Sequence, residues 1–233
     1  MVPLKKLRHQ FLKKILFSPI LAHIDDVSCT RENLETLKIG GKIDDTIVHF
    51  LCALEAHRFD KELALYKFVS PSVTQLLQRL DTEKAAEIIE TASFEKYDII
   101  FFPLSNLKGD LLGHWSLLIW CRTMKNTFLH FDSLKNVNIV PAKHLTDKIA
   151  EGLKIKNYSF KNMKGPIQNN NTDCGVYLMA TMDEIATTRK ISEHLKSKLT
   201  PEYITKFRIA LSSCITHYNA TLSGWENYRN FLL

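Results

Sequence analysis

His114 and Asp132 close the two ends of a pair of apolar runs, HWSLLIWC at 114–121 and TFLHFD at 127–132, with a turn at 123–126 between them. No other feature limits the fold as much. Short apolar runs bounded by polar residues read as buried strands, and a short polar connection makes the two a hairpin. Antiparallel pairing sets the start of the first strand beside the end of the second, which brings the imidazole and the carboxylate within reach of each other. A fold for this chain therefore carries a sheet with a His–Asp pair at one end. A further run, YDIIFFPL at 97–104, reads as another buried strand.

Helical patterns surround these strands. Residues 43–57 place Ile43, Ile47, Phe50, Leu51 and Leu54 on one face, after a Gly40-Gly41 turn and with Asp44 or Asp45 suited to the first helical turn. Ser70 or Ser72 with Pro71 marks a helix start, running to about 80, and a second helix spans about 82–91. A helix at 145–153, a strand at 155–160 and a polar loop at 161–173 follow. A helix then runs from Cys174 to about Thr188, and a last one covers 202–219. A chain of 233 residues accommodates one compact α+β domain. We assign that domain to 26–233 and expect 1–25 to be a basic amphipathic N-terminal segment. The first 24 residues hold five Lys or Arg and no acid.

Several function classes drop out. The formal charge of +6 comes without a basic run interleaved with aromatics, so no nucleic-acid partner is expected. The five cysteines are widely spaced and form no C-x-x-C, so neither a metal nor another cofactor is expected. Their odd number fits a reducing compartment, the cytoplasm or the nucleus. No stretch reaches the roughly 18 apolar residues that a membrane span needs. A monomer is expected.

Cys174 gives the His–Asp pair a purpose. A helix N-terminus lowers a thiol pKa through its partial positive charge and free N–H groups, and a nearby imidazole adds to this. Cys174 would be the nucleophile, His114 its base and Asp132 the group that orients the base. The Cys174 N–H and the Gln168 amide would face a developing oxyanion. Gly175 would leave room for a substrate backbone. The order His, Asp, Gln, Cys, at intervals of 18, 36 and 6 residues, is far more specific than any member alone. His130 is the spare candidate for the base.

At GHWSLLIW (113–120), HFDS (130–133) and QNNNTDCGVY (168–177) the chain resembles the Ulp and sentrin-protease family of cysteine peptidases. VSPSVTQ (69–75) and LTPEYITK (199–206) resemble its deneddylase branch. The resemblance runs from about 26 to 217. It implies a papain-like α+β fold, the four roles just given and a ubiquitin-like modifier ending in Gly-Gly as substrate, the neddylation modifier first. It implies Trp115 as a wall of the tunnel that holds the modifier tail. The family pattern W-L-N-D is replaced here by Lys42-Ile43-Asp44-Asp45, so Lys42 stands where a second roofing Trp would be. Asp45, the one acid that matches, would take an arginine of the tail. A SUMO or ubiquitin protease, or a catalytically idle modifier-binding homologue, are the alternatives.

Overall fold

The computed structural model describes residues 19–62, 64–106, 113–191, 194–217 and 223–232. It begins with an antiparallel hairpin, β1 (Ile20–Ile24) and β2 (Val27–Thr30). Most of the expected N-terminal segment, residues 1–18, lies outside the described residues. The boundary drawn at 25/26 falls in the turn of this hairpin. Ala22 and Ile24 are buried in the same core as the rest, so residues 20–24 belong with the domain.

A short helix α1 (Arg31–Glu35) leads to α2 (Asp45–Arg58). Asp44 caps α2, its carboxylate accepting the Ile47 N–H at 3.0 Å, which satisfies one of the donors a helix start leaves open. Strand β3 (Tyr66–Phe68) precedes α3 (Pro71–Arg79) and α4 (Thr82–Thr91). Ser70 caps α3 and Pro71 occupies its first turn, where a missing N–H costs nothing. Asp81 caps α4.

Three strands then run in succession: β4 (Ile99–Ser105), β5 (Trp115–Cys121) and β6 (Thr127–Phe131). After α5 (Ile139–Gly152) comes β7 (Ser159–Asn162). The sheet order is β3-β4-β5-β6-β7, antiparallel in the middle and parallel at both outer pairs. The remaining helices are α6 (Cys174–Thr188), α7 (His194–Lys198), α8 (Pro201–Thr216) and α9 (Ser223–Arg229).

Helices cover both faces of the sheet, which is why β4 and β5 read as nearly continuous apolar runs rather than alternating ones. The pleat sorts their side chains. Phe101, Leu117, Ile119, Leu129 and Phe131 share a core with α2, α6 and α8. Ile100, Phe102, Leu118, Trp120 and Phe128 share one with α4 and α5.

Two of the elements read from the sequence lie at shifted positions. Helix α5 begins at Ile139, not 145, because Pro141 lies in its first turn and breaks nothing there. Strand β7 spans 159–162, not 155–160. The chain leaving α5 first turns through Lys154 in the left-handed region (φ 56°), with the Ile155 N–H bonded back to the Ala150 carbonyl. Residues 155–158 make the approach to the sheet instead of joining it.

Candidate active site

The register that pairs Leu117 with Phe131 sets His114, just before β5, near Asp132, just after β6. His114 Nε2 lies 2.6 Å from Asp132 Oδ1. The His114 N–H donates to Asn106 Oδ1 at 2.6 Å, which fixes the strand entry. Asp132 also accepts the Leu134 N–H at 2.9 Å and the Asn138 N–H at 2.8 Å. Burial pushes its carboxyl up, but these hydrogen bonds and the imidazole outweigh burial and hold it below the usual carboxylate range.

Asn138, which the sequence reading missed, is the hub of this edge. Fully buried at the start of α5, it donates through Nδ2 to the His114 carbonyl at 2.8 Å and to Ser116 Oγ at 3.0 Å. An asparagine before an unrecognised helix start gives no signal in the sequence.

Cys174 is the first residue of α6, as its sequence position suggested. Burial raises its thiol, yet the hydrogen bond with His114, the N–H groups of Trp115 and Gly175 and the imidazole charge prevail, so the thiol falls below its ordinary value. His114 responds in kind. Burial lowers it, but the hydrogen bonds with Asp132 and Cys174 raise it to about 9. With Nε2 committed to Asp132, Nδ1 is the nitrogen left for the thiol, and it is buried with no hydrogen bond of ordinary geometry. Burial pushes Cys29, Cys52, Cys121 and Cys214 the other way, the first, third and fourth to about 12. Cys174 alone of the five has its thiol lowered, and it is the one set against a raised imidazole.

Gln168 is held at both ends of its amide. Oε1 accepts the Ser133 hydroxyl at 2.6 Å, and Nε2 donates to the Asn170 carbonyl at 2.6 Å. One hydrogen of the amide remains for a ligand. The Gln168 N–H also donates to the Ser133 carbonyl at 3.0 Å, tying the loop before Cys174 to the loop after β6.

A cleft beside the thiol is lined by Trp115, Phe131, Ser133, Gly165, Cys174 and Leu178. The Trp115 indole N–H donates to the Ile43 carbonyl at 3.0 Å, which ties this cleft-lining residue to the segment before α2. Gly175 corrects an expectation. A Cβ there would sit 2.7 Å from Ile43 Cβ, so the space it leaves is filled by Ile43 and not by a substrate backbone. Lys42 and Asp45, on either side of Ile43 in the chain, are exposed. Asp45 lines a separate polar hollow with Asp26, Ser28, His49 and Ser72, and is not part of the cleft at Cys174.

His130, the spare base, is ruled out by the pleat. It is buried among the side chains of the opposite sheet face, its ring stacked on Phe160 at 6.2 Å. Both of its nitrogens are occupied, Nδ1 by Asn162 Oδ1 at 2.8 Å and Nε2 by Ser116 Oγ at 3.1 Å.

Among the described residues, no group of three or more His, Cys, Asp or Glu is arranged to hold a metal ion, and no helix is long and apolar enough to cross a membrane.

The family model described as Ulp1 protease family, C-terminal catalytic domain, matches residues 42–221. The chain is 34% identical to sentrin-specific protease 8 of Homo sapiens over 158 residues, 64% of this chain and 73% of that protein. It is 28% identical to NEDD8-specific protease 1 of Arabidopsis thaliana over 166 residues, 67% of this chain and 71% of that one. The structure of the C-terminal Ulp1 protease domain in complex with Smt3, the yeast ortholog of SUMO, superposes with a TM-score of 0.67 at 19% identity, covering 93% of this chain and 97% of that chain. At that identity the likeness speaks for the fold.

Proposed function

The chain belongs to the Ulp1 protease family of cysteine peptidases, and from that membership we propose that it is a deneddylase, cleaving after the Gly-Gly end of the neddylation modifier. The observation that carries the chemistry is the single lowered thiol, Cys174, against an imidazole whose other nitrogen is fixed by Asp132. Support for the modifier comes from the relatives, sentrin-specific protease 8 and NEDD8-specific protease 1.

In this reading the Cys174 thiolate attacks the carbonyl carbon of the last glycine. The carbonyl electrons move onto oxygen, where the free hydrogen of the Gln168 amide and the Cys174 N–H stabilise the charge. Collapse of this intermediate breaks the C–N bond, and the leaving amine takes its proton from His114 Nδ1. A thioester remains. His114, now neutral, draws a proton from water as the water attacks the thioester, and Cys174 leaves as thiolate. Asp132 holds the ring in orientation and stabilises its charged form throughout. Trp115, which lines the cleft, would close over a tail without side chains.

Covalent trapping tests this reading. Modifiers bearing an electrophile at the C-terminal glycine are offered to the folded protein, with Cys174→Ala as control. The expected result is an adduct with the neddylation modifier that the control lacks. An adduct with SUMO or ubiquitin alone would change the substrate, and no adduct with any of them would defeat the peptidase reading.

A further inference from the structure

We infer that Arg208 is a positioning residue for Cys174, clamping the residue before the nucleophile to the loop that leads to Ile43, the hydrogen-bond partner of Trp115, while neutralising the carboxylate nearest to the thiol in sequence. The inference rests on the cysteine-peptidase reading of the site.

Arg208 comes from α8, outside every motif that the sequence brought forward, and only 2% of it is exposed. Its guanidinium is nearly saturated. Nε and Nη2 donate to Asp173 Oδ1 at 3.0 and 2.6 Å. Nη1 donates to the carbonyls of Thr36 at 3.0 Å and Lys38 at 3.1 Å. Nη2 also donates to the Gly41 carbonyl at 2.7 Å and, more weakly, to that of Thr172 at 3.4 Å. A lysine cannot reproduce this fan, because its three donors radiate from one point.

Each partner leads toward the chemistry. The loop at 36–41 runs directly into Ile43, which accepts the Trp115 indole and fills the space over Gly175. Its tightness needs Gly41, where a Cβ would meet the Thr36 carbonyl oxygen at 2.5 Å. Asp173 precedes Cys174 and also accepts from Asn170 Nδ2 at 2.7 Å. The Asn170 carbonyl in turn accepts from Gln168 Nε2. One buried cation thus ties together the nucleophile's approach, the proposed oxyanion donor and the segment that holds Trp115.

Charge gives the clamp a second effect. Cys174 itself is shifted by His114, with Asp132 behind the imidazole, and by the N–H groups of Trp115 and Gly175. The further ionisable groups on its own side are Asp173, one residue before it and paired with Arg208 of α8, and Tyr177, which lines the same cleft. A carboxylate next to a thiolate disfavours the thiolate unless a cation cancels it.

The test is the pH dependence of Cys174 alkylation by iodoacetamide in the full chain, with Cys174→Ala as background, alongside kcat and KM on a fluorogenic modifier amide. Arg208→Gln leaves Asp173 uncompensated, so the alkylation midpoint moves up and the neutral-pH rate falls on the order of 10-fold. Asp173→Asn leaves the cation unopposed and moves the midpoint down. Arg208→Lys keeps the charge and so the midpoint, but raises KM several-fold because the loop at 36–41 loosens. Opposite shifts in the Gln and Asn variants are what a purely structural arginine would not give. Unmoved midpoints in both overturn the inference. Should Arg208→Gln fail to fold, an unmoved midpoint in Asp173→Asn with an unchanged KM in Arg208→Lys overturns it equally. If wild type processes no modifier yet its alkylation midpoint obeys these variants, the peptidase reading has failed and the clamp has not.

Discussion

Helix α6 carries a buried ionic network at each end, and the two are built on opposite plans. At its start, Cys174 faces His114, whose Nδ1 is buried and makes no hydrogen bond of ordinary geometry, beside a small cleft. Toward its far end, Asp183 is fully buried and takes Arg229 at 2.7 and 2.9 Å and Arg58 at 3.0 Å. Glu55 joins it, 3.0 Å from Arg58 and accepting the Trp225 indole N–H at 2.7 Å. Both networks perturb ionisation strongly. Burial, then Asp183, pushes Glu55 up to about 8 against the opposing pull of Arg58 and Trp225. A perturbed pKa therefore does not by itself mark a reactive site. The far network is closed, its acids turned onto arginines and the indole, and it fastens the C-terminal helix α9 to α6. The near network leaves the Cys174–His114 pair without a bond of ordinary geometry, at the edge of a cleft.

The largest effects should separate the two ends completely. Cys174→Ala should lower turnover by ~10⁴-fold or more while leaving thermal stability level or slightly raised, since a desolvated ionic pair is lost. Asp183→Asn should do the reverse. It leaves Arg58 and Arg229 short of a buried counter-charge, which costs about 3–5 kcal/mol by urea denaturation, while turnover per folded molecule stays near wild type. Matching losses of activity and stability in both variants would collapse the distinction.

The pH dependence sharpens the contrast. At the near end, turnover should rise through the lowered thiol pKa and fall again near pH 9 as His114 loses its proton. The two limbs belong to the coupled pair. At the far end the readout is stability. Glu55 folded titrates at about 8 against an ordinary 4.5, so between those values the folded chain keeps a proton that the unfolded chain has lost. Its contribution is complete below about 4.5 and declines as pH rises toward 8. Glu55→Gln removes that slope, so its urea midpoint should gain on wild type from pH 5 to pH 8. A constant difference across that range would show that Glu55 does not hold its proton.

The near end was the more legible of the two in the sequence, for a physical reason. Catalysis needs particular side chains, and His114, Asp132, Gln168 and Cys174 stand out by type and by order. The groups that hold them, Asn138 and Arg208, act mainly through backbone carbonyls and neighbouring loops, contacts that no local pattern encodes. The same holds for the fold. The strands β4, β5 and β6 and the helices α2, α3, α4 and α6 followed from periodicity and caps. Strand β3 is three residues long and β1 and β2 five and four, so the alternation they do have is too short to stand out in the sequence. His130 failed as a spare base for a reason visible only once the pleat parity was known. The far network left no trace either, because Glu55, Asp183 and Arg229 are separated by 128 and 46 residues and look like ordinary charged positions on helices.

The smallest expected effect probes whether the two ends communicate at all. Trp225→Phe keeps a ring against Phe207, whose centroid lies 5.5 Å away, and deletes only the indole N–H that binds Glu55. The cost should be about 1–2 kcal/mol in the urea midpoint, one hydrogen bond to a partly ionised acceptor. It should be larger above pH 8, where Glu55 is charged, than at pH 6, where the carboxyl keeps its proton. Turnover per folded molecule should not move, because α6 is rigidly packed between the two ends and the indole touches nothing near Cys174. A fall in kcat at unchanged folded fraction would mean that α9 acts on Cys174 through the length of α6, and that the closed network participates in the reaction after all.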